Sequence, residues 1–150
     1  MLNQDYREML LLFIENNVEF LLVGAYAMAA HGYPRATADI DIFVNPNPSN
    51  AARVFKALSK FGAAMKDVTI QDFETPGTIF QIGVEPRRID IITEIDGLTF
   101  EEASEGLDII DIEGLAIPLI SKDKLIMNKL ATGRDKDRRD AERLQGKKEK

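Results

Sequence analysis

The sequence predicts one α/β (α+β) domain in which a mixed β-sheet is flanked by helices. Three observations lead to this expectation. Short apolar runs bounded by turn residues are typical of buried strands, and the stretches between them repeat apolar residues at helical spacing. A chain of 150 residues is also long enough for one domain with a sizeable hydrophobic core. We assign residues 1–145 to this domain and expect 146–150 to form a disordered tail.

The first half of the chain predicts helices and strands in alternation. The predicted order is helix 4–16, strand 18–23, helix 25–31, strand 40–44 and, after a turn at 45–50, a helix that runs to about Lys60. The second helix is expected to end at Gly32, with Pro34 beyond it, because glycine commonly closes a helix and proline cannot continue one. Residues 61–76 give a mixed pattern that predicts no single element.

The second half predicts a hairpin, two further strands and three helices. The predicted elements are strands 78–84 and 87–93, a short helix 100–104, edge strands 107–112 and 115–118, and helices 121–131 and 135–144. Thr99 and Ser121 stand where helix N-caps are expected, because their hydroxyls accept hydrogen bonds from free backbone N–H groups. Arg87 and Arg88 follow the hairpin turn, a position at which we expect solvated side chains.

Composition excludes several classes of protein. The chain has no cysteine, which excludes disulfides and thiolate metal sites and fits a cytoplasmic protein. No apolar run is long enough to cross a membrane, and no signal peptide opens the chain. The net charge of −6 is unevenly distributed: residues 1–121 carry 8 basic and 19 acidic side chains, and residues 122–150 carry 11 and 6. A cationic segment facing an acidic metal site would suit a bound metal–nucleotide, although it would equally suit a solvated helix.

The most informative motif is a pair of aspartates separated by one residue. Asp39 and Asp41 point to one face of a strand, whereas Ile40 and Ile42 point into the core. Asp90 lies between isoleucines on a later strand, and on a neighbouring strand it would lie roughly 5 Å away. Three carboxylates in one patch can hold two Mg²⁺ ions about 4 Å apart, the arrangement that serves nucleotidyl transfer.

This pattern resembles the nucleotidyltransferase superfamily related to DNA polymerase beta. The family motif is an apolar residue, Gly, then Gly or Ser, a short helix, Asp-x-Asp and a third acid, which Gly24, Asp39, Asp41 and Asp90 match. Ala25 replaces the usual second small residue, so only its backbone N–H remains to meet a phosphate. The resemblance implies the nucleotidyltransferase fold, in which Gly24 and Ala25 cradle the phosphates of the nucleotide.

A finer resemblance is to the AbiEii-type toxin nucleotidyltransferases and their uncharacterised relatives. It rests on the stretch from Val23 to Asp41 and on the tail from Leu125 to Asp140. The positions that match this group's nucleotide site are Lys129, Arg134, Lys136, Asp137 and Asp140. Arg35 could hold a phosphate or equally pair with one of the nearby aspartates.

The expected function is metal-dependent transfer of a nucleoside monophosphate from an NTP to an RNA 3′ end or a protein hydroxyl. Two Mg²⁺ ions are the implied cofactors, and the residues expected to contact the nucleotide are Gly24, Ala25, Arg35, Lys129 and Arg134. The alternatives are a partner-binding toxin–antitoxin component and an inactive nucleotide-binding descendant of the fold. For His31, Tyr26 and Tyr33, packing or capping roles are expected over ligand contacts.

Overall fold

A computed structural model describes residues 2–34 and 38–146. Along the chain its elements are α1 (Gln4–Glu15), β1 (Phe20–Val23), α2 (Gly24–Ala30), β2 (Ile40–Val44), α3 (Pro48–Phe61), a 3₁₀ helix (Ile70–Glu74), β3 (Ile79–Ile82), β4 (Ile89–Ile92), α4 (Phe100–Ser104), β5 (Asp108–Ile112), β6 (Leu115–Leu119), α5 (Lys122–Ala131) and α6 (Asp135–Leu144). The predicted α/β class is therefore confirmed. Within the described residues no helix is both long and apolar enough to cross a membrane.

The six strands form one mixed sheet in the order β3-β4-β2-β1-β6-β5. β2 runs parallel to β4 and antiparallel to β1, and the predicted hairpin is the antiparallel pair of β3 and β4. The expectation that residues 115–118 form an edge strand is wrong, because β6 pairs in parallel with β1 on one side and with β5 on the other. Within the part of the chain that the structure describes, β3 and β5 form the two edges of the sheet.

The core explains why the central strands are so apolar. All four residues of β1 are buried, as are all residues of β2 except Asp41. Strands covered on both faces need nearly continuous apolar sequence, because neither face meets water. α1 contributes Met9 and Phe13 to this core, and α3 contributes Val54 and Leu58. A single charged side chain in the middle of such a strand therefore requires a local explanation.

The unassigned stretch at 61–76 contains the 3₁₀ helix. Its N-terminus is closed by a capping box, in which the Thr69 hydroxyl accepts from the Asp72 N–H and the Asp72 carboxylate accepts from the Thr69 N–H. The same reciprocal bonding between Thr99 and Glu102 begins α4, where the cap was expected. Of the predicted tail, residues 147–150 lie outside the part of the chain that the structure describes.

Candidate metal and nucleotide site

Two of the three predicted acids face each other across neighbouring strands. In the parallel pairing of β2 with β4, Asp41 is the direct partner of Asp90. Asp39 lies one residue before β2, and Ile40 and Ile42 point away into the core with no exposed surface. The period of the strand thus separates carboxylates from apolar side chains, and the parallel register aligns the two strands at their acids.

Gly24 brings the backbone against this pair. It is the first residue of α2 and has a φ of +68°, in the left-handed region that favours glycine. A Cβ placed on it would overlap Oδ2 of Asp41 and come 3.0 Å from its Cγ. The turn from β1 into α2 therefore lies in close contact with the Asp41 carboxylate, and a side chain at position 24 would displace that carboxylate.

The crowding of acids changes the protonation of Asp41. Burial raises the pKa of Asp41 from 3.8 to about 7, and the Asp90 carboxyl adds to this through its charge and a hydrogen bond. The charge of Asp39 also raises this pKa, whereas the charge of Arg88 lowers it. Like charges that cannot reach solvent need either a shared proton or a cation, so the donor chemistry at this point fits Mg²⁺.

A cation is already present in the cluster, and it is a side chain. The Arg88 guanidinium donates from Nε to Oδ1 of Asp90 at 2.7 Å and from Nη2 to Oδ2 of Asp90 at 3.1 Å. Nη2 also lies 3.3 Å from Oδ2 of Asp39, and the Arg88 backbone N–H donates to Oδ1 of Asp39 at 2.9 Å. The expectation that Arg88 is solvated is therefore wrong: the residue lies just before β4 with its side chain turned inward, where it pairs with Asp39 and Asp90.

Arg88 also engages the oxygens of two of the acids predicted to bind metal. Among residues 2–34 and 38–146, no group of three acidic or histidine side chains is arranged to hold an ion. The acids converge, but Asp39 and Asp90 direct their oxygens at the guanidinium. The three acids offer the carboxylate oxygens that a divalent metal prefers, but those of Asp39 and Asp90 are engaged by Arg88.

The Tyr6 hydroxyl contacts the backbone beside the acid cluster. Its hydroxyl lies 3.1 Å from the Ala38 carbonyl and 3.3 Å from the Arg88 carbonyl, so it can donate to the backbone just before Asp39 and just before β4. Burial raises the pKa of Tyr6 to about 12, assisted by Tyr26 and by the three acids. Sequence reasoning missed this residue, although a tyrosine among the aliphatic core positions of α1 is a signal for a buried hydroxyl with a partner.

A cavity of about 230 Å³ lies between Asp41 and the C-terminal helices. It is lined on one side by Gly24 and Asp41 and on the other by Lys129 and Arg134. The structure therefore brings residues from the cationic segment to the acidic strand, as the charge distribution suggested. Lys136, by contrast, is exposed and does not line this cavity.

Lys129 is held in place by buried acids. Its Nζ lies 3.4 Å from Oδ1 of Asp137 and 3.2 Å from Oδ2 of Asp140, and both carboxylates belong to α6. Asp137 also accepts from Thr132 and from Nε of Arg134, each at 2.8 Å. Burial alone would raise the pKa of Asp137, but these hydrogen bonds and the charges of Lys129 and Arg134 lower it. Ion pairs between Lys129 and the two carboxylates therefore join α5 to α6.

The remaining predicted residues have simpler roles or lie outside the description. Arg35 lies outside the described residues, so its two expected roles stay predictions. His31 follows α2, with Nε2 at 2.8 Å from the Ile120 carbonyl. The Tyr33 hydroxyl donates to the Arg143 carbonyl at 2.6 Å, and Tyr26 packs edge-on against Tyr6. These contacts agree with the packing and capping roles expected for all three.

A second, larger cavity lies beside the first. It has a volume of about 570 Å³ and an apolar floor that includes Phe43 and Phe100. The two cavities share the segment after β4, residues 94–96, whose Glu94 and Asp96 are exposed. A molecule in one cavity would therefore lie next to a molecule in the other.

Comparison with known proteins agrees with this geometry. A family model described as a nucleotidyltransferase of unknown function (DUF6036) matches residues 1–145. A proposed nucleotidyltransferase from Thermotoga maritima is similar in structure, with a TM-score of 0.65, 18% identity and coverage of 97% of this chain and 94% of its own. A search of curated proteins finds no match.

Two antibiotic-modifying proteins share the fold. ANT(2″)-Ia in complex with adenylyl-2″-tobramycin gives a TM-score of 0.59 at 15% identity, covering 94% of this chain and 87% of its own. The lincosamide antibiotic adenylyltransferase LnuA, with lincomycin bound, gives 0.56 at 16% identity and covers 97% of each chain. At such identities the likeness establishes a common fold.

Proposed function

The chain belongs to the nucleotidyltransferase family DUF6036, and on that premise we propose that it transfers a nucleoside monophosphate from an NTP to an acceptor hydroxyl in a metal-dependent reaction. One observation carries the proposal. Asp41 is the register partner of Asp90 and lies against Gly24, and it lines a cavity whose other side carries Lys129 and Arg134. Carboxylates for a metal and cations for a polyphosphate thus share one small space.

The chemistry divides between the two sides of the cavity. Asp39, Asp41 and Asp90 would hold Mg²⁺, which stabilises phosphate charge and lowers the pKa of a hydroxyl when bound. Gly24 leaves room for the phosphates to approach the backbone at the start of α2. In the reaction the acceptor hydroxyl gives up its proton to solvent, its oxygen bonds to the α-phosphorus, the bond from this phosphorus to the bridging oxygen breaks, and pyrophosphate leaves. Lys129 and Arg134 would balance the charge of the leaving pyrophosphate.

The larger cavity is the place we propose for the acceptor. Its volume of about 570 Å³ falls within the range of small-molecule sites, roughly 300–1,000 Å³. Its lining includes Glu101 and Glu102, exposed acids that the smaller cavity lacks and that would repel an RNA backbone. A small molecule, or a protein side chain that enters the cavity, suits this lining better than the RNA 3′ end that the sequence also suggested. The two antibiotic-modifying neighbours are consistent with a small acceptor.

The AbiEii-type resemblance supplies a more specific version of the proposal. In that version the chain is a toxin–antitoxin component that acts in the cytoplasm, where NTPs and Mg²⁺ are available, on a cellular RNA or protein. Expression of the wild-type chain should then arrest growth, whereas the Asp41→Asn variant should not. Unimpaired growth with the wild type would favour the small-molecule reaction.

The direct test is a labelling experiment. Purified protein, Mg²⁺ and each α-³²P-labelled NTP are incubated with cell extract separated into RNA, protein and small-molecule fractions. We expect label in one fraction with wild type, none with Asp41→Asn, and full labelling with the control Asp67→Asn, whose side chain is exposed outside both cavities. Label that persists with Asp41→Asn would refute the assignment of the site.

A further inference from the structure

Arg88 occupies the place where a metal is expected. Its side chain is only 21% exposed, although it follows a hairpin turn that is otherwise solvated. The guanidinium binds both oxygens of Asp90 and one of Asp39, while the backbone N–H takes the other oxygen of Asp39. These four oxygens belong to two of the three acids proposed as metal ligands.

A guanidinium and a divalent ion cannot share such oxygens freely. A lone pair that accepts a hydrogen bond from Nε or Nη2 points away from any ion on the opposite side. The positive charge of the arginine also repels a second cation a few ångströms away, where low solvent exposure leaves little screening. A bare metal ion must therefore displace Arg88 before Asp39 and Asp90 become ligands.

Arg88 has a second partner that would hold it outside the cluster. Nη1 lies 3.0 Å from Oε1 of Glu85, which is 71% exposed at the hairpin turn. A guanidinium that leaves the aspartates can keep this contact, and two oxygens of a nucleotide phosphate can accept from the planar guanidinium in a bidentate pair. Displacement by metal alone loses several bonds of Arg88, whereas displacement by metal together with nucleotide replaces them.

We propose that Arg88 is a built-in counter-ion that stabilises the acid cluster without metal and makes metal binding depend on nucleotide. The inference rests on the proposed metal site and extends it: the same arginine weakens binding of the bare ion and strengthens binding of the metal–nucleotide pair. Linkage requires the coupling to be reciprocal, so the metal should tighten nucleotide binding by the same factor.

The alternative is that Arg88 only fastens β4 to β2. The two roles differ in their effect on the metal. If Arg88 is purely structural, its removal should make Asp39 and Asp90 less ordered and weaken metal binding. If Arg88 is a competing counter-ion, its removal should free Asp39 and Asp90 and strengthen metal binding.

The experiment is a titration of Mn²⁺ alone, followed by electron paramagnetic resonance, against wild type, Arg88→Gln and the control Arg87→Gln. Arg87 is the adjacent residue and is exposed. We expect Arg88→Gln to bind Mn²⁺ about tenfold more tightly or better, since one charge-assisted hydrogen bond corresponds to roughly that factor. Arg87→Gln should match wild type. Saturating non-hydrolysable NTP should tighten Mn²⁺ binding strongly in wild type and little in Arg88→Gln.

Further variants fix the interpretation. Arg88→Lys keeps the charge but loses the planar fork, so it should give an intermediate affinity, and it decides the question if Arg88→Gln fails to fold in a melting curve. Equal or weaker Mn²⁺ binding in the folded Arg88 variants would overturn the inference. If Asp41→Asn still abolishes binding in that case, the proposed metal site stands without the counter-ion. If no variant binds Mn²⁺ even with NTP, both the inference and the proposed function fail.

Discussion

The raised pKa of Asp41 makes a quantitative prediction for the Asp41→Asn variant. Burial and the neighbouring acids raise the pKa of this carboxyl from 3.8 to about 7 in the folded protein. Between these two pH values the folded state keeps a proton that the unfolded state has released, so stability falls as the pH rises from about 4 to about 7. At about 1.4 kcal/mol for each tenfold change in proton affinity, the total loss is at most about 4 kcal/mol.

An amide at this position cannot ionise. Asp41→Asn should therefore match wild type near pH 4 and exceed it by up to about 4 kcal/mol at pH 8. The assay is urea denaturation in EDTA at intervals from pH 4 to pH 8, with Asp67→Asn as the control for a general change in net charge. If Asp41→Asn loses stability with pH as steeply as wild type does, the crowding of these acids has been overestimated. Mg²⁺ added together with a non-hydrolysable NTP should stabilise wild type more than Asp41→Asn, because only wild type retains the full ligand set.

Three further changes test other parts of the site. Gly24→Ala should be less stable by about 1–2 kcal/mol, because the φ of this residue is positive. It should also bind Mn²⁺ more weakly. Its control Gly62→Ala, with positive φ but no atom near the added Cβ, should lose stability alone. Lys129→Met should lower stability by about 1–3 kcal/mol and weaken NTP binding, because it removes a cation from two buried carboxylates; Lys136→Met should change neither in calorimetry. Tyr6→Phe should cost about 1–2 kcal/mol in urea denaturation, and no change would mean that its hydroxyl does not hold the two strands.

The strands that carry the acids could be predicted because their information is local. The alternation around Ile40 and Asp41 determines which side chains face the core, and the same holds around Asp90. The parallel register of β2 with β4 then follows if Asp41 and Asp90 are placed opposite each other. The position of β6 depends instead on pairing between segments almost a hundred residues apart, which its own short apolar run does not encode.

Arg88 shows where reasoning from one segment fails. An arginine beside a turn is normally solvated, and its own neighbours give no reason to expect otherwise. Its inward position depends on Asp39, which lies 49 residues earlier in the chain and becomes a neighbour only after the sheet has formed. Tyr6 is similar, since its partners Ala38 and Arg88 come from two other elements. Such contacts form only in the tertiary structure, and they are concentrated at functional sites.

The central claim is that Asp41 and Asp90 hold the metal of a bound nucleotide. The most direct measurement is a crystal structure with Mn²⁺ and a non-hydrolysable NTP analogue, using anomalous scattering to locate the ion. We expect Mn²⁺ in contact with Asp41 and Asp90, the phosphates between Gly24 and Lys129, and Arg88 moved away from Asp39. Manganese or nucleotide bound elsewhere, with the Asp41 carboxylate untouched, would contradict it.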